Sequence, residues 1–188
     1  MTDSVFNLIK NRRSIRKYQP RPVEREKLRK CLEAARLAPS AENVQPWRFI
    51  VIDDPDLKNR FAKEVFSGIY FPMKFAQQAP VIVIILAKRD LIANRIGKQI
   101  QGIHYYFIDV GIAGQHLVLQ AQELGLGSCW IGWFNPRKVR NFFNIPKSYQ
   151  VASLISLGYP AQEKSEVKNR SPLDKIAWFN GFKNEDQN

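Results

Sequence analysis

Residues 103–124, IHYYFIDVGIAGQHLVLQAQEL, form the longest stretch of helical character in this chain. Ile103, Phe107, Val110, Ile112, Leu117, Val118 and Leu119 give it more apolar surface than one core-facing stripe holds. A helix apolar on several faces is buried at the centre of a domain or at a subunit interface. Left uncovered, the remainder would form a patch that soluble monomers avoid. Gly125 and Gly127 follow at once and mark the helix end.

Outward from this helix the elements alternate. Ser128 to Phe134 reads as a strand, Pro136 to Phe142 as a short helix and Gln150 to Leu157 as a strand. Upstream, Val81 to Leu86 is β-branched and continuous, the pattern of a central strand. Trp47 to Ile52 is a strand closed by Asp53, Asp54 and Pro55, and a helix follows near Asp56 to Phe66. Leu28, Cys31, Leu32 and Ala35 recur at helical spacing between Glu24 and Ala38, and Pro39 stops that helix. Val5 to Lys10 predicts a short helix with Val5, Leu8 and Ile9 inward. Arg12 to Tyr18 is a basic turn or extended segment, closed by Pro20 and Pro22. Ser67 to Phe75 is aromatic-rich and of no definite form. Residues 162–171 read as a polar loop, and Leu173 to Phe179 as one last strand. No repeat or linker appears, so residues 1–188 are expected to form one domain, with flexible tails at about 1–4 and 181–188.

Composition narrows the class. A 45% hydrophobic content supplies a core, and 24% charged residues with twelve Phe argue against disorder. No apolar run reaches the roughly 18 to 20 residues that span a bilayer. No secretory signal is visible at the first residues, and Cys31 and Cys129 lack metal-ligand spacing, so a cytoplasmic protein with reduced core thiols is expected. The net charge is +12, and residues 10–30 hold ten Lys or Arg against Glu24 and Glu26. Three readings compete for that run: a surface for nucleic acid or membrane, a compact site for a phosphorylated ligand, and a solvated basic helix face.

Common chemical signatures are missing. Gly-Leu-Gly at 125–127 ends a helix instead of opening one, so it is not a dinucleotide fingerprint. No nucleotide-hydrolase phosphate loop, paired-cysteine metal motif or Gly-x-Ser-x-Gly occurs, and no catalytic side chain or metal ligand set stands out. Chemistry, if present, belongs to a bound cofactor. Three segments offer sites for one. Arg12, Ser14 and Arg16 share one side of an extended segment, where guanidinium forks and a hydroxyl suit a phosphate. Residues 39–47, PSAENVQPW, form an amide-bearing loop whose Asn43 and Gln45 suit the edge of a heterocycle. Lys168 and Arg170, ahead of Pro172, are a further pair of phosphate partners. Each segment alone also reads as a solvated turn or a helix stop. Cys129 and His116 read as a buried strand thiol and a satisfied helix histidine, and Trp133 and Trp178 as packing residues.

Taken in order, RRSIRKY at 12–18, APSAENVQPWRFIVI at 38–52, GLGSCWIGWF at 125–134 and KNRSPLDKI at 168–176 resemble the nitroreductase family. The order and spacing match over roughly residues 5 to 178. The first two motifs together are specific, and the last two are weak without them. The resemblance implies an α+β fold, an α/β/α sandwich with a mixed central sheet, in an intertwined homodimer with FMN at the subunit interface. It also implies an FMN-dependent enzyme that takes hydride from NAD(P)H and reduces nitroaromatic, quinone or related small acceptors by a ping-pong mechanism.

Carried over by position, the resemblance sets the FMN phosphate against Arg12 and Arg13, with Lys168 and Arg170 closing over it. Ser14 meets the ribityl chain or phosphate, and Arg16 approaches the N1/O2 edge of the isoalloxazine. Pro39, Ser40, Ala41 and Asn43 reach the flavin from the partner subunit, with Gln45 a further contact. Trp130, Ile131 and Gly132 run along it, the Gly132 N–H near N5. Larger family members hold an acidic residue and a Gly where this chain has Gly132 and Trp133, and residues 66–75 depart most. A flavin protein of this fold with another role (flavin fragmentation, dehalogenation or storage) is the alternative. A basic nucleic-acid module is more remote, for want of a helix-turn-helix pattern, a zinc motif or aromatics interleaved with the basic run. The partners expected are therefore a second copy, NAD(P)H and a small acceptor, with neither nucleic acid nor membrane.

Overall fold

The computed structural model of the protein describes residues 4–89, 103–162 and 169–182. The position of Lys168 and most of both expected flexible tails lie outside these residues. The helices are α1 (Val5–Asn11), α2 (Arg25–Arg36), α3 (Pro55–Val65), α4 (Tyr105–Glu123) and α5 (Pro136–Phe142). The strands are β1 (Trp47–Ile52), β2 (Val81–Lys88), β3 (Gly127–Ile131) and β4 (Tyr149–Gly158).

The continuous apolar run of β2 has a direct cause. The sheet order is β1-β2-β4-β3, so β2 is central and both of its faces are covered. Val81, Val83, Ile85 and Ala87 face a core shared with α2 and α4, through Leu28, Cys31, Ala35, Val110, Leu117 and Ala121. Ile82, Ile84 and Leu86 face a second core, with Phe61 and Val65 of α3 and Val139 of α5. Helices therefore lie on both faces of the sheet, as the α/β/α reading expects. The two cysteines are buried free thiols, and burial pushes the Cys31 thiol up to about 12.

Three expectations need correction. The strands pair antiparallel throughout, so the described sheet is not mixed; the parallel contact is an isolated bridge between Ser14 and Ser128. Leu173 to Phe179 is no strand. It holds a 3-10 turn at Leu173–Lys175, and Leu173, Ile176 and Phe179 stand exposed and belong to no strand of the described sheet. In α1, Val5 and Ile9 are also exposed and no residue is fully buried. A seven-residue helix without a buried stripe gains little from packing within its own chain.

The extended arm after α1 is seated on the sheet by close packing. Arg12 is the C-cap of α1 and is already out of helical geometry, so the chain leaves the helix straight along β3. The Ile15 N–H donates to the Ser128 carbonyl at 2.9 Å. The Tyr18 hydroxyl donates to the Ile15 carbonyl at 2.6 Å and lies 2.8 Å from Ser156 Oγ. Gly127 permits this approach: a Cβ there would lie 2.6 Å from Ile15 Cγ1. Gly127→Ala should lift the arm and destabilise the protein by about 1–3 kcal/mol. Urea unfolding checks this, and an unchanged midpoint would show that the arm yields freely.

Candidate functional site

The seated arm leaves Arg12 half-buried beside β3, and its Nη1 is a buried atom without a hydrogen-bond partner. Burial lowers the Arg12 pKa, Arg170 and Arg13 push it the same way, and Cys129 opposes them. A desolvated guanidinium with an open donor, flanked by two more, is a locus for an anion with several oxygens. Arg13 Nη1 donates to the Lys10 and Arg12 carbonyls at 2.7 and 3.1 Å, so the end of α1 fixes that side chain. Arg170 is exposed, its Nη1 on the Asn169 carbonyl at 3.0 Å. Ser14 is bridged to Ser128. The structure thus brings Arg12, Arg13, Ser14 and Arg170 to one end of β3.

Arg16 is exposed, and its guanidinium lies 5.7 Å from the centroid of the Phe75 ring, a cation–π arrangement. Phe75 belongs to a 3-10 segment, Gly68–Gln78, which gives form to the aromatic-rich stretch. Buried Lys58 holds one end of the segment by donating to the Gln77 and Ala79 carbonyls, both at 2.9 Å. Burial lowers the Lys58 pKa. Near the other end, the Trp133 indole N–H donates to the Ile69 carbonyl at 3.0 Å, and Tyr70 packs on its ring at 5.6 Å. Trp133 is therefore a tether, a role that its sequence neighbours did not signal.

The end of β3 offers backbone more than side chains. Trp130 is half-buried and occupies the space left by Gly114 of α4, where a Cβ would lie 2.7 Å from Trp130 Cζ2. Ile131 is buried in the α3–α5 core. Gly132 is exposed, with open space where a Cβ would stand. Its backbone can be approached closely.

Residues 39–45 form a second locus. The loop turns through a 3-10 segment at Ala41–Asn43, and Glu42, Asn43 and Gln45 hold φ of 49°, 55° and 47°. Left-handed backbone at three non-glycine residues so close together is strained. Two bonds to side-chain acceptors help to hold it. The Gln45 N–H donates to Ser40 Oγ at 3.0 Å, and the Ala41 N–H donates to Asp109 Oδ1 at 3.1 Å. Gln45 also donates its side-chain amide to Asn43 Oδ1 at 3.2 Å, while Pro39 is exposed. Among the described residues no hydrogen bond joins residues 39–45 to residues 12–16, so one chain does not bring the two loci into direct contact by this means. Asp109 on α4 is a residue that the motifs missed. It is buried, its Oδ2 has no partner, and burial raises its pKa. The signal for it was a carboxylate amid the apolar first half of the helix.

The chain is thus an α+β sandwich with an unpaired guanidinium donor on the edge arm and a strained amide loop after a helix. Residues 9–72 and 70–159 match the family described as "Nitroreductase family". A Thermus thermophilus "NADH dehydrogenase" is 33% identical over 191 residues, spanning 88% of this chain and 90% of that protein. A nitroreductase family protein from Clostridium difficile 630 has a TM-score of 0.81 and 33% identity, covering 96% of this chain and 99% of its own. An "FMN-dependent Nitroreductase" from Clostridium difficile R20291 has a TM-score of 0.75 and 36% identity, covering 94% and 99%. The chain belongs to the nitroreductase family and is an oxidoreductase.

If Arg12 is the centre of an anion site, inorganic phosphate should raise the thermal midpoint of the flavin-free protein. At ten times the dissociation constant the gain is about 1.4 kcal/mol. Arg12→Ala should abolish the phosphate response without lowering the phosphate-free midpoint. A response retained in Arg12→Ala would remove Arg12 from the site.

Proposed function

We propose that this chain is an FMN-dependent oxidoreductase that takes hydride from NAD(P)H and reduces nitroaromatic, quinone or related small acceptors in a ping-pong cycle. The observation that carries the proposal is the open, buried donor of Arg12 between two other guanidinium groups. Such a cluster suits the dianionic terminal phosphate of FMN. The names of relatives agree: one is an FMN-dependent nitroreductase, and an "Oxygen-insensitive NADPH nitroreductase" from Helicobacter pylori is 27% identical over 185 residues.

When bound, FMN would supply the redox chemistry, accepting hydride from NAD(P)H in one half-reaction and returning the electrons to an acceptor in the next. This chain's residues have simpler tasks. Arg12, Arg13, Lys168 and Arg170 would hold the phosphate, and Ser14 would meet the ribityl chain. Arg16 would place positive charge at the pyrimidine edge, where negative charge builds on reduction. The exposed backbone of Gly132, with Trp130 and Ile131 before it, would offer an N–H toward the flavin. Pro39, Ser40, Ala41, Asn43 and Gln45 would contribute from a second copy.

The second copy is supported by the exposed apolar surface. Val5 and Phe6 of α1, Phe107 and Ile108 of α4, and Leu173, Ile176, Phe179 and Phe182 of the tail are all open, Phe179 at 95%. Soluble monomers rarely leave so much apolar surface uncovered. A homodimer would bury it and complete each site with the partner's loop.

The test is steady-state kinetics of the flavin-loaded protein under anaerobic conditions. NADH or NADPH is varied at several fixed concentrations of a quinone or a nitroarene. Parallel double-reciprocal lines are expected, because one substrate leaves before the other enters. Intersecting lines would contradict the ping-pong cycle, and flavin reduced by NAD(P)H but not reoxidised by either acceptor class would favour another role for the fold.

A further inference from the structure

Buried Asp109 brings little to the fold. Its Oδ1 accepts one hydrogen bond, from Ala41 N–H, and its Oδ2 accepts none while lying out of water. A buried acceptor left unpaired costs stability, whereas the half-exposed Ala41 N–H could turn to water if the carboxylate were absent. What Asp109 does provide is a fixed point. It ties the first residue of the 3-10 turn to the long helix α4, directly before Glu42, Asn43 and Gln45 enter left-handed backbone. The Ser40 hydroxyl closes the same turn by accepting from the Gln45 N–H, but that bond lies within the loop. Asp109 anchors the start of the strained shape to α4, while Arg48 of β1 donates to the Gln45 carbonyl at 3.1 Å at its end. Polar groups that cost stability and preserve strain belong to function more often than to folding.

We infer that Asp109 is the positioning residue of the 39–45 loop: its carboxylate holds the backbone so that Ser40, Ala41 and Asn43 present their polar groups to the flavin. The inference rests on the FMN reading above. It assigns Asp109 no contact with the cofactor, so its effect passes through the Ala41 N–H. Asp109→Asn keeps an acceptor at that N–H and nearly the same shape. Asp109→Leu keeps the branched shape, with a somewhat larger volume, and removes the acceptor.

The experiment measures two quantities for each variant of the full chain: FMN affinity by flavin fluorescence, and the thermal midpoint of the flavin-free protein. Asp109→Leu should weaken FMN binding at least tenfold, with a midpoint unchanged or raised. Asp109→Asn should stay within about threefold of the parent in affinity. This separation of affinity from stability is what a merely structural residue would not produce. Wild-type affinity in Asp109→Leu would overturn the inference. So would loss of fold together with flavin in Asp109→Leu, if Asp109→Ala behaved alike. Arg12→Ala separates the two readings. Flavin retained by Arg12→Ala overturns the phosphate assignment, while flavin lost by Arg12→Ala and kept by Asp109→Leu overturns the role of Asp109 alone.

Discussion

The hydrogen bond from the Ile15 N–H to the Ser128 carbonyl sets where the charged arm can lie. A strand edge accepts an extended segment only if its side chains find room, and Gly127 supplies that room beneath Ile15. Tyr18 then locks the far end of the arm through the Ile15 carbonyl and Ser156. With Ile15 and Tyr18 buried, the residues on either side are carried to fixed places. Arg12 is pressed into a half-buried position with a donor unused, and Arg16 is left free of the core to meet Phe75. The desolvated Arg12 donor is a consequence of this seating, since a guanidinium on a loose turn would simply be solvated.

Arg12 Nη1 and Asp109 Oδ2 are the buried side-chain polar atoms without hydrogen-bond partners among the described residues. Native interiors rarely leave such atoms unpaired, and each exception needs a reason. Arg12 stands on the arm proposed to grip phosphate, and Asp109 holds the loop proposed to reach a flavin from across an interface. Around both, the fold is well satisfied: two packed cores sandwich the sheet, and Lys58, though buried, donates to two carbonyls. The stability lost at the site residues is offset by the rest of the sandwich.

Much of this was legible in the sequence. The run from Val81 announced a strand covered on both faces, and Trp47–Ile52 and Pro136–Phe142 match in their bounds. Periodicity carried these readings because burial sets it directly. The antiparallel sheet was not legible, since strand direction depends on topology and not on local pattern. Leu173 to Phe179 misled because a run of apolar residues reads as a strand whether or not its own chain covers it; α1 misled for the same reason. The arm was legible as basic and extended, yet which arginine would be desolvated depended on Gly127 and Ile15, far apart in sequence. Asp109 stayed hidden because one carboxylate amid the apolar first half of a helix makes no motif. Its meaning appears only when the Ala41 N–H is found beside it.

The central claim is that the arm and Arg170 form a phosphate site that selects FMN. Comparing the affinities of the flavin-free protein for FMN and for riboflavin by calorimetry tests this most directly, because the two differ only in the phosphate. FMN should bind at least about a hundredfold more tightly, a difference of about 2.7 kcal/mol, and the advantage should shrink as salt rises. Equal affinities for the two flavins would contradict the account.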